Sequence, residues 1–340
     1  MKVLIVDDSP VVRELLRHII ENAGMTVAGE AENGKQAFEQ AIELKPDVIT
    51  MDIDMPQMDG CEASRLIMEN QPIPIVVVTA TYSYQDTALA MQILETGAIT
   101  VLQKPQGPGH PEFEKDAAAL VSTIRVISDI KLVRRKPRHG KSNHIAGYIT
   151  KSRPEIIVIG ASTGGPVALK EFLTKLTINI PVPILVVQHI SQGFLSSFCE
   201  WLSRNTGFPV HIGEYGQLTE PGHVYLAPDN CHMEIRADKR IQLSNVSPVK
   251  HNRPSIGHLF ESVAEHFGQR AVAVLLSGMG DDGARETLHL HSMGAMTLAQ
   301  DEATVVVNGI PGEAVRIGAV NQTAPPWKLA EIINAVFNNG

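Results

Sequence analysis

Short apolar runs alternate with amphipathic stretches through the first part of the chain. Residues 2–6, 26–29, 48–51, 75–78 and 99–102 are strand-like, and residues 11–22 and 35–44 carry apolar positions at helical spacing. Five such β-α repeats predict a parallel, doubly wound sheet, in which ligands sit outside the carboxyl ends of the strands. The pattern breaks over residues 131–153, where Pro137, Gly140, Ser142, Asn143 and Gly147 cluster, which predicts an exposed linker. It then resumes. Residues 156–159, 183–189, 271–276 and 295–299 are near-continuous apolar runs of the kind buried on both faces, with helical spacing over 167–176, 193–205 and 255–267. Shorter alternating runs at 223–226, 233–236 and 241–243 predict hairpin strands, on a small antiparallel edge or in a small excursion. The expected organisation is a domain over 1–125, a linker over 126–153 and a second α/β domain over 154–340.

Polar residues punctuate the first five strands at their carboxyl ends. Asp7 and Asp8 follow the first, Asp52 the third, Thr79 ends the fourth and Lys104 follows the fifth. Three carboxylates converging on one edge repel one another unless a hard divalent cation lies among them. A carboxylate beside such a cation can accept a phosphoryl group, whose oxygens Thr79 and Lys104 can hold. Ordinary strand-end polarity explains any one of these residues, but not five at matching ends. The constellation resembles the receiver domain of two-component response regulators, with its flavodoxin-like five-stranded sheet. The phosphoacceptor stretch is matched by Asp52-Ile53-Asp54-Met55-Pro56 with Met58-Asp59-Gly60. The resemblance implies phosphorylation of Asp52. It also implies Mg2+ bound by Asp8, Asp52 and the Asp54 backbone carbonyl, with Asp7 helping through water. Thr79 and Lys104 would sense the phosphoryl group, and a sensor histidine kinase would be the phosphodonor. The family often has an aromatic residue where this chain has Val101.

In the second domain the apolar run ending at Ile159 leads into Gly160-Ala161-Ser162-Thr163-Gly164, a G-x-S-x-G pattern that exposes a serine on a sharp strand-to-helix turn. The next two buried-type strands end in His189 and in Ser277-Gly278-Met279-Gly280-Asp281-Asp282-Gly283. In a parallel sheet those ends share one edge. Ser162 then has a general base in His189, Asp282 orients the imidazole, and backbone N–H groups around Met279 can hold an oxyanion. Each residue also has a plainer reading. The turn can bind phosphate or nothing, a histidine after a strand is often a structural hydrogen-bond partner, and Asp281 or Asp282 can cap the next helix. His223, His232, His251 and His258 are further candidates that spacing alone does not exclude. The order Ser…His…Asp differs from that of α/β-hydrolases. Residues 160–165 do not fit the G-x-G-x-x-G dinucleotide fingerprint, no acidic residue follows them at the usual distance, and no basic recognition helix appears after the linker.

Residues 155 to about 335 resemble the catalytic domain of chemotaxis-type protein-glutamate methylesterases. The resemblance is carried by the serine turn with Gly165-Pro166, by Val187-Gln188-His189, by His251 with Arg253-Pro254-Ser255, by residues 276–283, and by Ala299-Gln300-Asp301-Glu302-Ala303-Thr304. It implies a Ser162–His189–Asp282 triad in a Rossmann-like, mostly parallel sheet, with Thr163 beside the site and the Met279 backbone as an oxyanion contact. The implied activity is phosphorylation-activated hydrolysis of glutamate γ-methyl esters on chemoreceptors, with deamidation of glutamines, and no cofactor for that reaction. Gly257, Asn308, Ile310 and Gly312 depart from the family pattern, which sets substrate preference apart from the triad itself. The contrasting expectation is a non-catalytic response regulator whose second domain docks on a receptor or partner.

Charge and composition narrow the picture. Of a net charge of −8, the segment 131–153 carries eight basic residues and no acidic one, between two acidic blocks. Such a run is usually a solvated segment; its charge also suits the two acidic domains beside it or an acidic receptor surface, and the overall sign argues against nucleic acid. The three cysteines, Cys61, Cys199 and Cys231, are too scattered for a disulfide framework or a zinc site. The chain starts on a strand and has no bilayer-length apolar run, so the expectation is a cytoplasmic protein without membrane insertion.

Overall fold

The computed structural model describes residues 1–79, 93, 94, 98–128, 153–248 and 252–338. The chain divides into two units, split between residues 138 and 139. Most of the expected linker, and His251, lie outside the described residues.

The first unit runs β1 (Lys2–Val6), α1 (Pro10–Asn22), β2 (Thr26–Ala31), α2 (Gly34–Leu44), β3 (Val48–Met51), α3 (Gly60–Asn70), β4 (Ile75–Thr79), β5 (Thr100–Gln103) and α4 (Phe113–Ser128) among the described residues. The last helix reaches three residues into the expected linker, because Leu120, Ile124 and Ile127 continue its buried stripe. The sheet order is β2-β1-β3-β4-β5, with every pairing parallel. β3 and β4 are buried at every position, as apolar strands covered on both faces must be. The helix starts are written in the sequence. Ser9, Asn33 and Asp59 precede α1, α2 and α3, and each side chain accepts a backbone N–H of the first turn.

The second unit runs β6 (Ile156–Ala161), α5 (Gly165–Lys175), β7 (Ile184–Gln188), α6 (Leu195–Thr206), β8 (Val210–Ile212), β9 (Val224–Leu226), β10 (His232–Ile235), β11 (Ile241–Ser244), α7 (Ile256–His266), β12 (Ala271–Leu275), α8 (Ala284–Ser292), β13 (Met296–Gln300), α9 (Ile310–Arg316), β14 (Gln322–Ala324) and α10 (Pro326–Asn338). Seven strands form one parallel sheet in the order β14-β13-β12-β6-β7-β9-β8. The chain leaves β6 toward β7 on one side and returns to β12 on the other. The crevice beyond the carboxyl ends of these three strands is therefore the topological switch point, where such sheets bind ligands.

Two details differ from the sequence expectation. The run at 223–226 is not a hairpin strand; β9 lies inside the main sheet, parallel to β7 and β8, with all three residues buried. The antiparallel pair is β10 with β11, in a two-stranded sheet of its own, the excursion and not the edge of the large sheet. β10 packs on α7, with the Ile235 N–H donating to Ser262 Oγ at 3.1 Å. The edge strands β8 and β14 were not anticipated, since three residues are too few to show a period.

The first glycine of the serine turn has a packing reason. A Cβ on Gly160 would lie 2.4 Å from Ile256 Cγ2 and 3.0 Å from Leu275 Cδ2, so β6 meets the start of α7 with no room for a methyl group. Gly160→Ala is expected to destabilise the second unit by about 1–3 kcal/mol through overpacking, read as a lower denaturant midpoint. An unchanged midpoint would show that this contact is loose.

Candidate active site and phosphoacceptor site

Ser162 follows β6 directly. Its N–H donates to Ser277 O at 2.9 Å, beyond the end of β12, and the Gly165 N–H donates to Ser162 O at 2.8 Å, which closes a tight turn. Gly164 holds the left-handed conformation (φ 75°) that the turn needs before α5 begins. Two residues that the sequence reading gave no role clamp this turn. Ser277 Oγ donates to Thr163 O at 2.7 Å and accepts from the Val307 N–H, while Gln300 Oε1 accepts from the Ser277 N–H at 2.8 Å. Thr163 itself is half-buried and enters this network through its carbonyl.

His189 follows β7, the parallel neighbour of β6. Ala161 pairs with Gln188, and the His189 N–H donates to Ala161 O at 2.9 Å, so serine and histidine are next neighbours across two strand ends. Gln188 fastens them further. Its buried amide donates to both Ser162 O (2.8 Å) and His189 O (2.9 Å). A buried polar residue at a strand end, directly before the candidate base, was the available signal.

Asp282 comes from the loop between β12 and α8, and the structure brings its carboxylate to His189. Oδ2 lies 3.1 Å from His189 Nε2, close but without the alignment of a full hydrogen bond. The same carboxylate sits on the N-terminus of α7. It accepts from Ser255 Oγ at 2.8 Å, from the Ile256 N–H at 2.8 Å and from the Gly257 N–H at 3.1 Å. Burial alone would raise its pKa. The imidazole contact and the backbone donors outweigh that and hold the carboxyl below its ordinary value. Asp282 therefore does not cap the following helix, whose N-cap is Gly283; it anchors the start of a helix earlier in the chain. The other histidine candidates have other partners. His223 faces His211 (3.0 Å between ring nitrogens), and His258 faces Glu234. His232 is wholly buried against Ser255.

Met279 is half-buried on the loop after β12. The preceding carbonyl, Gly278 O, accepts from the Gly309 and Ile310 N–H groups at 3.0 and 2.9 Å, at the start of α9. In a trans peptide the Met279 N–H points the opposite way, free of that helix. A Cβ on Gly278 would lie 2.9 Å from Ser162 Cβ, so this peptide runs directly beside the serine. The departures from the family pattern have local reasons. Ile310 is fully buried beneath Gly278. A Cβ on Gly312 would lie 2.9 Å from Asn308 Oδ1, so the small residue matches the amide. A Cβ on Gly257 would meet Glu286 Oε2 at 2.8 Å, so glycine leaves room for that carboxylate.

The first unit collects its polar residues at the carboxyl ends of β1, β3, β4 and β5. Lys104 Nζ lies 2.7 Å from both Asp7 Oδ2 and Asp52 Oδ2, and the Lys104 N–H donates to the carbonyl of the buried Thr79 at 2.8 Å. Asp52 is buried, and burial, with the Asp7 charge in support and Lys104 in opposition, pushes its pKa up to about 6. Burial likewise raises Asp7. Burial would lower Lys104, but its two carboxylate partners prevail and raise it. Arg13, which the sequence reading passed over, donates to Asp7 O and Asp8 O and so fixes the turn that presents both aspartates. Asp54 follows with an exposed side chain, and Val101 is buried in β5. Ligand oxygens of Asp7, Asp8 and Asp52 lie within 4.8 Å of one another, the one such group among the described residues. Three carboxylates against one shared lysine leave two negative charges uncompensated. A hard oxygen set with that deficit fits a divalent cation such as Mg2+.

Among the described residues no helix is long and apolar enough to cross a membrane. The CheB methylesterase family matches residues 157–333, and the response regulator receiver domain matches residues 3–110. The protein-glutamate methylesterase/protein-glutamine glutaminase 3 of Hahella chejuensis is 57% identical, over 98% of each chain. A protein of the same description from Geobacter metallireducens, numbered 4, is 42% identical over 99% of each. The crystal structure of the Thermotoga maritima CheB methylesterase catalytic domain superposes with a TM-score of 0.52 at 33% identity, covering 54% of this chain and 98% of that one. With a receiver sheet followed by a parallel sheet that carries a serine, a histidine and an aspartate at its switch point, this chain belongs to the CheB family of protein-glutamate methylesterases/protein-glutamine glutaminases.

Proposed function

We propose that this protein is a phosphorylation-activated serine hydrolase that demethylates glutamate γ-methyl esters, and deamidates glutamines, on methyl-accepting chemoreceptors. The observation that carries this reading is the His189–Asp282 contact at the switch point, one strand away from Ser162. In the proposed reaction Ser162 Oγ attacks the γ-carbonyl carbon, and His189 takes the hydroxyl proton. Asp282 engages Nε2, so Nδ1 is the nitrogen left to serve the serine. Asp282, ionised at neutral pH, offsets the charge of the imidazolium. The carbonyl oxygen becomes an oxyanion that the Met279 N–H stabilises. Collapse expels methoxide, which takes the proton from His189 and leaves as methanol. Water then attacks the acyl-serine with the same base, and a glutamate carboxylate is released. A glutamine substrate follows the same path with ammonia as the leaving group.

The receiver unit is read as the input. Asp52 accepts a phosphoryl group from a sensor histidine kinase. Asp8, Asp52 and the Asp54 carbonyl, with Asp7 nearby, would hold Mg2+, which would neutralise phosphoryl charge. Lys104, already against Asp52, is positioned to exchange a carboxylate partner for a phosphoryl oxygen, with Thr79 beside it. Phosphorylation then shifts the population toward an active enzyme, as a charge change at a two-state element does. The reading implies a cytoplasmic protein that meets the cytoplasmic part of its receptors.

Three outcomes test this reading. Methanol release from methylated receptor membranes is expected to drop by roughly three orders of magnitude or more in Ser162→Ala, and activity retained in that variant excludes Ser162 as the nucleophile. Addition of acetyl phosphate with Mg2+ is expected to speed release by wild type and not by Asp52→Asn, and a chelator should remove the wild-type response. A response that survives both treatments would place the switch elsewhere. The depressed pKa of Asp282 fixes the sign of its contribution to stability: present above the ordinary value of 3.8, lost as pH falls through the lower folded value. The stability gap between wild type and Asp282→Asn should thus hold steady near neutrality and shrink in acid. A gap that widens in acid would contradict it.

A further inference from the structure

Behind the Asp282 carboxylate lies a histidine that the proposed reaction does not use. His232, the first residue of β10, is 0% exposed. Its Nδ1 accepts the Ser255 N–H at 3.2 Å, and its Nε2 faces Ser247 O at 3.3 Å. A peptide N–H can only donate and a carbonyl oxygen can only accept. These two partners therefore fix both the charge and the tautomer: His232 is neutral, with its proton on Nε2. The Ser255 whose N–H it holds is the residue whose Oγ donates to Asp282 at 2.8 Å and accepts the His258 N–H at 3.3 Å. The next two N–H groups, of Ile256 and Gly257, complete the cradle of the same carboxylate. His258 packs against His232 with ring centroids 4.4 Å apart and planes tilted by 35°, and is itself paired with Glu234 on β10.

Resting on the hydrolase reading above, we propose that His232 is a positioning residue for the reaction. As a neutral Nε2–H imidazole it fixes the Ser255 cap, and through it the orientation of Asp282 toward His189. The groups that face it agree with the neutral form. Burial comes first, then the neighbouring His258, both disfavouring a second proton, with Arg253 acting the same way; the Ser247 carbonyl and Asp282 oppose them and do not prevail. A proton on Nδ1 would set donor against donor at Ser255, loosening the cap and turning the aspartate. His232 thus ties the alignment of the triad acid to its own protonation state.

The experiment uses the full-length protein with acetyl phosphate and Mg2+, and reads methanol release from methylated receptor membranes. In His232→Asn, Oδ1 stands where Nδ1 was and still accepts from Ser255. In His232→Gln the amide lies further out, toward Ser247, and the acceptor is lost. We expect His232→Gln to lose roughly ten- to a hundredfold in kcat with KM within about twofold, and His232→Asn to stay within about threefold of wild type. Equal losses in both, or a loss in KM alone, would reduce His232 to packing and overturn the proposal. Nitrogen NMR of the histidine-labelled wild type provides a test that no folding defect can blur. The resonance that disappears in His232→Asn should report protonated Nε2 and bare Nδ1 from pH 6 to 8. A Nδ1–H tautomer or an imidazolium there would overturn it. Were wild type as inactive as Ser162→Ala, the hydrolase reading would fall and take this one with it. An active wild type with indifferent residue 232 variants sinks this one alone.

Discussion

A buried carboxylate must be satisfied or neutralised, and the catalytic unit is arranged around that requirement at Asp282. The group comes from one loop, its two N–H donors and a hydroxyl come from the start of a helix 26 residues earlier, and the imidazole it faces follows a third element. Removing those donors would leave a charge stranded in apolar surroundings, at a cost that a single histidine contact does not offset. The positive end of the Ile256–His266 helix adds to the same effect. In the proposed reaction, catalysis and folding thus draw on one set of contacts. The carboxylate is held ionised and aimed before any substrate arrives, which is what an acid that must stabilise an imidazolium requires.

The phosphoacceptor cluster handles charge in the opposite way. Asp7 and Asp52 are buried with one lysine between them and a third carboxylate alongside, so the charges do not balance. Burial prevails at both carboxylates and raises their proton affinity, whereas at Asp282 the imidazole contact and the backbone donors outweigh burial and lower it. An under-compensated cluster is poised to take up a cation and a phosphoryl group, whereas a satisfied one is suited to stay fixed. The contrast matches a unit that changes state and a unit whose geometry must not.

Much of this was legible in the residues. Both parallel sheets follow from apolar runs that lack alternation, because only strands covered on both faces read that way. Gly160 through Gly164 announced the turn at Ser162. Legibility failed where the signal was short or the partner distant. The run at 223–226 was taken for a hairpin because three residues carry no period that separates a parallel from an antiparallel neighbour. Gln188, Ser255, Ser277 and Gln300 are ordinary polar residues by sequence. Only their partners, from 23 to 114 residues away for the last three, give them a role.

The sequence by itself determined local facts: the longer strands and several of the helices, where a serine is exposed on a turn and which carboxylates end which strands. These depend on neighbours within a few residues, which backbone preference and hydrophobic period record directly. The tertiary structure decided which ring nitrogen of His189 meets Asp282, which of several histidines stands in the site, and that the triad acid is also the anchor of an earlier helix. Those choices are set by the packing of strands far apart in the chain, and no local spacing encodes the direction in which a side chain points across a sheet.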